Sequence, residues 1–227
     1  MRKNGIIIAI DGPAGSGKSS VGKEVAKEIN YKFISTGKMY RAIAWICVHK
    51  KIDITNENEV LKTAIENEII FVDENPPEPS LYIAGIKLDK ELYHEEIAKK
   101  TSDIARMPKI REFLVKRQQQ IGNDGGIVME GRDITTNVFP DAELKIYLDA
   151  SAQERAKRRI KQLKEKGIEA DYNEILNMIK IRDEQDAKRE HNPLKKSNDS
   201  YYIDTTGLSQ DDVKNIILKL YYKIIKC

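Results

Sequence analysis

The sequence is poor in cysteine, in aromatic residues and in long apolar runs, and each shortage excludes a class of protein. Cysteine occurs only twice in 227 residues, at Cys47 and Cys227, which is too sparse for a disulfide framework or a metal cluster. No apolar run approaches the ~20 residues that a membrane span needs, and aromatic residues make up only 7% of the chain. These shortages predict a globular protein of the reducing cytoplasm that has no membrane partner.

An excess of charge of one sign is missing as well. Lys and Arg number 39 against 36 for Asp and Glu, so the formal net charge is only +3. This near balance gives no global case for nucleic acid as a partner. The apolar run Ile6–Ile10 is five residues long and no small-residue cleavage site follows it, so a signal peptide is not expected.

Short apolar strands alternate with helical patterns along most of the chain. Strands are predicted at residues 6–10, 127–129, 144–148 and 201–203. Helices are predicted at residues 18–29, 38–49, 108–120, 153–166, 172–190 and 211–225. This alternation predicts an α/β fold in which a central, mainly parallel sheet is flanked by helices on both sides.

Residues 52–105 have a different texture from the rest of the chain. Three short strand patterns, at residues 69–72, 81–83 and 86–88, lie around the turn-forming, proline-rich segment 75–79. We therefore expect a small antiparallel β insertion within the α/β chain.

The segment directly after the first strand matches the phosphate-binding loop G-x-x-x-x-G-K-[ST] at every fixed position. Its glycines let successive backbone N–H groups point at phosphate oxygens, and the N-terminus of the next helix adds its dipole. Lys18 is expected to reach the β- and γ-phosphates, and the Ser19 hydroxyl is expected to ligate Mg²⁺. The residues predicted to bind the triphosphate are Gly12, Pro13, Ala14, Gly15, Ser16, Gly17, Lys18, Ser19 and Ser20. The loop does not indicate what receives the phosphoryl group.

Four other clusters could form an acceptor side. Arg41 lies near the start of the second helix, and Glu130–Asp133 leaves the carboxyl end of a strand, where ligands bind in open α/β sheets. Two further clusters are spaced to share a helix face, namely Arg155, Arg158 and Arg159, and Arg182, Asp186 and Arg189. Each cluster alone is more often a solvated face or a loop salt bridge. Their occurrence together with a phosphate loop favours a second substrate site.

Taken together, these segments resemble the bacterial cytidylate kinases nearly from end to end. The resemblance lies in residues 10–20, 35–41, 130–134, 138–142, 148–151, 182–186 and 203–209. It implies transfer of the γ-phosphoryl group of ATP to CMP or dCMP with Mg²⁺, by a monomer with a P-loop NTPase core. It also implies a core domain of residues 1–37, 107–153 and 168–227, an acceptor (NMP-binding) domain of residues 38–106 that holds the small sheet, and a short helical lid of residues 154–167.

The same resemblance assigns roles to individual residues. Thr36, Arg41, Arg132 and Arg189 would hold the acceptor phosphate, and Arg182 and Asp186 would lie toward the sugar and phosphate. Ser102, Arg111 and Asp133 would read the base, and Arg158 would bind ATP. Lys18, Arg132, Arg158 and Arg189 would be the catalytic residues. The chemistry of cytosine agrees with the base-reading set, because its amino donor beside ring acceptors matches a carboxylate and a guanidinium.

The chain departs from the family pattern at three places. Glu130 stands where Asp is common, and it keeps a carboxylate that could hold a water bound to Mg²⁺. Ser35 stands where Asp is usual, which removes one charge, and Thr135–Thr136 replaces a segment in which the family has Gly.

Two other functions stay open at the level of sequence. One is a kinase for another nucleoside monophosphate such as UMP. The other is a P-loop switch or nucleic-acid-associated ATPase with the basic helix at 153–166 as its contact surface, although that helix lacks aromatic residues for base stacking.

Overall fold

The computed structural model describes residues 2–165 and 167–226. Its strands are β1 (Ile7–Asp11), β2 (Lys32–Ser35), β3 (Ile69–Val72), β4 (Ser80–Ile83), β5 (Ile86–Leu88), β6 (Ile127–Gly131), β7 (Leu144–Asp149) and β8 (Tyr201–Asp204). Its α-helices are α1 (Lys18–Glu28), α2 (Thr36–His49), α3 (Glu57–Glu66), α4 (Glu95–Ile104), α5 (Pro108–Gly122), α6 (Ala152–Glu165), α7 (Tyr172–Ala187) and α8 (Gln210–Ile225). A short 3₁₀ helix covers Lys90–Tyr93, and a π-helical turn covers Ile134–Val138.

A five-stranded sheet in the order β2-β6-β1-β7-β8 forms the centre of the molecule, and all its strand pairs are parallel. Every residue of β1 is buried, because helices cover both faces of the sheet. On one face Ile8 and Ile10 pack with apolar residues of α1 and α8. On the other face Ile7 and Ala9 pack with the π-helical turn and the segment after it. The prediction of a parallel α/β core is confirmed.

The inserted region contains the predicted antiparallel sheet, in the order β3-β4-β5. It also contains α3 and α4, which were not predicted from the sequence. Both helices are short and mostly polar, and both pack against α2. A local signal existed for α3, since the Asn56 side chain accepts hydrogen bonds from the backbone N–H groups of Asn58 and Glu59.

Helix α2 joins the inserted region to the central sheet. It follows β2 directly, and its buried residues form one apolar cluster with residues of α3, α4, α5 and the small sheet. The division into core, acceptor domain and lid at the expected residues stays a prediction.

Helices were predicted to end at residues 166 and 190. Helix α7 ends at Ala187 rather than at 190, so Arg189 lies beyond the helix instead of on the same helical face as Arg182 and Asp186. Helix α6 is described to Glu165, and Lys166, the predicted last residue, lies outside the described residues. Within the described part of the chain, no helix combines the length and apolarity needed to cross a bilayer.

Candidate active site

The phosphate-binding loop connects the end of β1 to the start of α1, as its sequence context predicted. Gly12 must be glycine, because a Cβ atom there would lie 1.9 Å from the carbonyl oxygen of Leu148. Gly17 precedes α1 with a φ of 94°, a left-handed conformation that glycine adopts without strain. The loop therefore approaches neighbouring backbone more closely than any side chain would allow.

Lys18 is almost completely buried within this loop, where its Nζ donates to the carbonyl oxygen of Pro13 at 2.7 Å. Desolvation and repulsion from Arg132 lower the pKa of Lys18 to about 7, although Glu130 and Asp11 act in the opposite direction. A phosphate group in the loop would supply the negative charge that this buried amine lacks.

Glu130, at the end of β6, connects the loop to β2. Its Oε1 accepts hydrogen bonds from Ser19 Oγ at 3.0 Å and from Ser35 Oγ at 2.5 Å, and the residue is 5% exposed. Ser35 therefore donates a hydrogen bond to the Glu130 carboxylate. An aspartate at position 35 would instead have placed a second negative charge beside that carboxylate. Mg²⁺ is ligated by hydroxyl and carboxylate oxygens. The side chains of Ser19 and Glu130 therefore have the chemistry of the metal site expected from the sequence.

Asp11, which the sequence analysis did not single out, ties the end of β1 to the π-helical turn. Its fully buried carboxylate accepts from the backbone N–H of Ile134 and from both the N–H and the hydroxyl of Thr135. Burial raises the pKa of Asp11 to about 6, while these donors oppose the rise. The Thr135 side chain thus adds a donor that glycine at this position would not provide.

A cluster of arginines surrounds Asp186 opposite the loop. The Asp186 carboxylate lies between Arg132 Nε at 2.9 Å and Arg189 Nη2 at 2.6 Å. Desolvation and repulsion from Arg132 lower the pKa of Arg182, which lies one turn earlier on α7. Two guanidinium groups therefore share one carboxylate and a third lies near it, which suits the cluster to bind an anion.

Arg41 lies at the side of the inserted region. Its Nη1 donates to the carbonyl oxygen of Leu92 at 2.9 Å, and its guanidinium lies 5.5 Å from the centre of the Tyr93 ring. Desolvation lowers the pKa of Arg41, and Arg159 contributes by repulsion. Thr36 is buried at the start of the same helix and donates to the backbone carbonyl of Glu130 at 2.9 Å.

Arg111 and Asp133 form a buried ion pair beside the arginine cluster. Arg111 Nη2 lies 2.6 Å from Asp133 Oδ2, and the two side chains are 3% and 10% exposed. The Arg111 guanidinium also lies 5.8 Å from the centre of the Tyr40 ring, and its buried Nε has no hydrogen-bond partner among the described residues. Ser102 is half-buried on α4, three residues before Ala105, whose carbonyl oxygen accepts from Arg111 Nη1 at 3.2 Å.

Two arginines of α6 reach the phosphate loop and its surroundings. Arg155 forms a two-point ion pair with Asp183 of α7 and donates to the carbonyl oxygen of Ala14 at 3.1 Å. Arg158 donates to the hydroxyl and the carbonyl oxygen of Thr205, at 3.0 and 2.6 Å. A solvated face is therefore the wrong interpretation for Arg155 and Arg158, whereas the neighbouring Arg159 is exposed.

The sequence analysis did not predict three residues that the fold places here: Asp11, Tyr93 and Asn137. Asp11 directly precedes the phosphate-binding loop, so its position in the sequence could have indicated that it lies at this site. Tyr93 lies in the region that was interpreted as β structure, and Asn137 contacts Asp133 across the π-helical turn. For these two residues the sequence pattern carried no signal.

Comparisons with known proteins agree with the resemblance in sequence. A family model described as "Cytidylate kinase" matches residues 8–223. A cytidylate kinase from Alkaliphilus oremlandii is 45% identical over 213 residues, which are 94% of this chain and 96% of that protein. One from Bacillus licheniformis is 42% identical over 218 residues, which are 96% of each chain.

A longer relative contains the same unit as one of its parts. A bifunctional pantoate ligase/cytidylate kinase from Prochlorococcus marinus is 45% identical over 216 residues, which are 95% of this chain but only 42% of that protein. The chain thus matches single-function relatives over almost their full length and the bifunctional relative over less than half. The chain belongs to the cytidylate kinase family.

Proposed function

We propose that the protein transfers the γ-phosphoryl group of ATP to CMP or dCMP and releases ADP with CDP or dCDP. The observation that carries the proposal is the buried Arg111–Asp133 pair beside the arginine cluster around Asp186. Together with the phosphate loop, these groups would supply a donor site, an anion site and a base-reading site.

The phosphate loop is the donor half of the site. Backbone N–H groups of residues 12–17 would surround the phosphates of ATP, with Lys18 compensating the β- and γ-phosphate charge. Mg²⁺ would be held by the Ser19 hydroxyl and, through a bound water, by Glu130, and it would neutralise charge on the phosphate oxygens. Arg158 would bind ATP from the lid, which we assign to residues 154–167.

The arginine cluster is the acceptor half. Thr36, Arg41, Arg132 and Arg189 would hold the phosphate of the monophosphate, and Arg182 with Asp186 would lie toward its sugar. Asp186 has a structural reason to be there, since it keeps Arg132 and Arg189 close together although both are positively charged.

The Arg111–Asp133 pair, with Ser102, would read the base. A carboxylate accepts from the amino group of cytosine, whereas uracil would turn a carbonyl oxygen toward the same carboxylate. Such a mismatch leaves buried polar groups unpaired, and sites of this kind discriminate by about 10³-fold or more.

The transfer itself needs little chemistry from the protein. The acceptor is a phosphate oxygen that is already ionised at neutral pH, so no general base is required. Positioning and charge neutralisation would supply the rate enhancement, with Lys18, Arg132, Arg158 and Arg189 around the transferred group. We expect the protein to act as a cytoplasmic monomer without a nucleic-acid partner.

A panel of acceptors tests the proposal. The protein is incubated with ATP and Mg²⁺ together with CMP, dCMP, UMP or AMP, and the diphosphates are separated by chromatography. We expect CDP and dCDP to form much faster than UDP or additional ADP. Faster turnover of UMP, or ATP hydrolysis stimulated by nucleic acid with no diphosphate formed, would overturn it.

A further inference from the structure

Asn137 makes a contact with the base-reading pair to which neither the motifs nor the family resemblance assigns a role. Its Nδ2 donates to Asp133 Oδ2 at 3.0 Å, and this is the same oxygen that accepts from Arg111 Nη2 at 2.6 Å. One carboxylate oxygen is therefore held by two donors from different elements.

The π-helical turn explains how Asn137 reaches this position. The backbone N–H groups of Asn137 and Val138 both bond to the carbonyl oxygen of Asp133, at 2.9 and 3.1 Å, which widens the turn. Asp11 fixes the start of the turn through its bonds to Ile134 and Thr135, and Gln119 donates to the carbonyl oxygen of Val138 at 3.0 Å. Asn137 thus projects from a backbone that is fastened at both ends.

Two donors on one oxygen fix the orientation of the carboxylate. With Oδ2 occupied by Arg111 and Asn137, Asp133 Oδ1 accepts no hydrogen bond from any other part of residues 2–165 and 167–226. A carboxylate oxygen in this state accepts from an amino group and repels a carbonyl oxygen. Without the hydrogen bond from Asn137, the carboxylate could rotate about its Cβ–Cγ bond. Its preference for an amino group over a carbonyl oxygen would then be weaker.

We propose that Asn137 is a positioning residue that sets the preference for an amino-bearing pyrimidine over a keto-bearing one. It acts through Asp133, and the inference rests on the proposed base-reading role of that residue. Asn137, together with Arg111, also lines an open cavity of about 380 Å³, so a side chain of similar size can replace it without a clash in the core.

The test compares CMP and UMP as acceptors for Asn137→Leu, which keeps the size of the side chain and removes its donor. We expect the ratio of kcat/KM for CMP to that for UMP to fall about tenfold, mainly through a higher KM for CMP, because one hydrogen bond to a charged group is lost. The KM for ATP should change less than twofold. Asn137→His, which restores an N–H donor, should recover part of the ratio.

Thr136→Val is the matched control, since Thr136 lies on the same turn and should leave the ratio unchanged. An Asn137→Leu protein with the wild-type ratio, or with equal losses for CMP and ATP, would overturn the proposal. If the wild-type protein itself shows no preference for CMP over UMP, the proposed function fails. If it shows that preference and Asn137→Leu keeps it, only the role of Asn137 fails.

Discussion

The proposed donor and acceptor halves of the site are built in different ways. The donor half comes from one continuous segment, in which Lys18 contacts Pro13 five residues away. The acceptor half is assembled from distant segments, since Arg111 pairs with Asp133 across 22 residues and Arg132 pairs with Asp186 across 54. A motif can specify the first half by itself, whereas only the folded chain specifies the second.

The two halves also differ in how charge is compensated. Lys18 Nζ contacts no carboxylate oxygen among residues 2–165 and 167–226, and desolvation lowers its pKa to about 7. In the proposed acceptor half, by contrast, Arg111 is paired with Asp133, and Arg132 and Arg189 are paired with Asp186. We therefore expect variants of the donor half to impair every acceptor equally, and variants of the acceptor half to distinguish among substrates.

The largest effect should come from Lys18→Ala. Removing the buried amine should lower kcat about 10³-fold with CMP and dCMP alike, because Lys18 is expected to stabilise charge on the transferred group. Steady-state rates with both acceptors measure this. Lys23→Ala, an exposed lysine on the same helix, is the control and should keep near wild-type rates. A loss confined to one acceptor would contradict the division into halves.

Asp133→Asn should give the next largest effect, and it should be selective. We expect kcat/KM for CMP to fall about 100-fold while the KM for ATP stays within twofold, because the variant offers an amide where the amino group of cytosine needs an acceptor. Thermal unfolding should show a lower Tm, since buried Arg111 loses its charged partner. If the apparent affinities for CMP and for ATP fell equally, Asp133 would not be a base-reading residue.

Tyr93→Ala should have a smaller effect on the acceptor half. Its ring lies against the Arg41 guanidinium, and losing this contact should raise the KM for CMP about two- to fivefold with little change in kcat. Tyr93→Phe keeps the ring and should retain the wild-type KM. If the two variants behaved alike, the ring would not be what positions Arg41.

The smallest expected signal is the uptake of less than one proton when ATP binds. With a pKa of about 7, Lys18 is mostly neutral at pH 8 and would be protonated by the approach of phosphates, whereas at pH 6 it already carries its proton. Calorimetry in two buffers of different ionisation enthalpy should detect uptake at pH 8 that is absent at pH 6 and absent in Lys18→Met. Proton uptake that persists in Lys18→Met would show that a group other than Lys18 takes up the proton.

The sequence predicted those parts of the fold whose pattern is local. The buried run of β1, the glycine loop and the spacing of α1 predicted the strand, loop and helix that the structure has. Helices α3 and α4 were missed because each is only ten residues long and mostly polar, and both pack against α2 in the folded chain.

The residues proposed for the acceptor site were picked out individually from the sequence, but their partners in the fold could not be predicted. Nothing in the spacing of Arg132 and Asp133 predicts that the first pairs with Asp186 and the second with Arg111, because tertiary packing decides both. The π-helical turn that brings Asn137 to Asp133 has no sequence period that distinguishes it from a loop.

The most direct test of a two-substrate cleft is the fate of the γ-phosphoryl group in a single turnover. The protein in excess is mixed with γ-labelled ATP, Mg²⁺ and CMP, and labelled products are followed over time. We predict that the label appears in CDP at the same rate as ADP forms, with inorganic phosphate remaining minor. Label released as inorganic phosphate, without labelled CDP, would contradict the account.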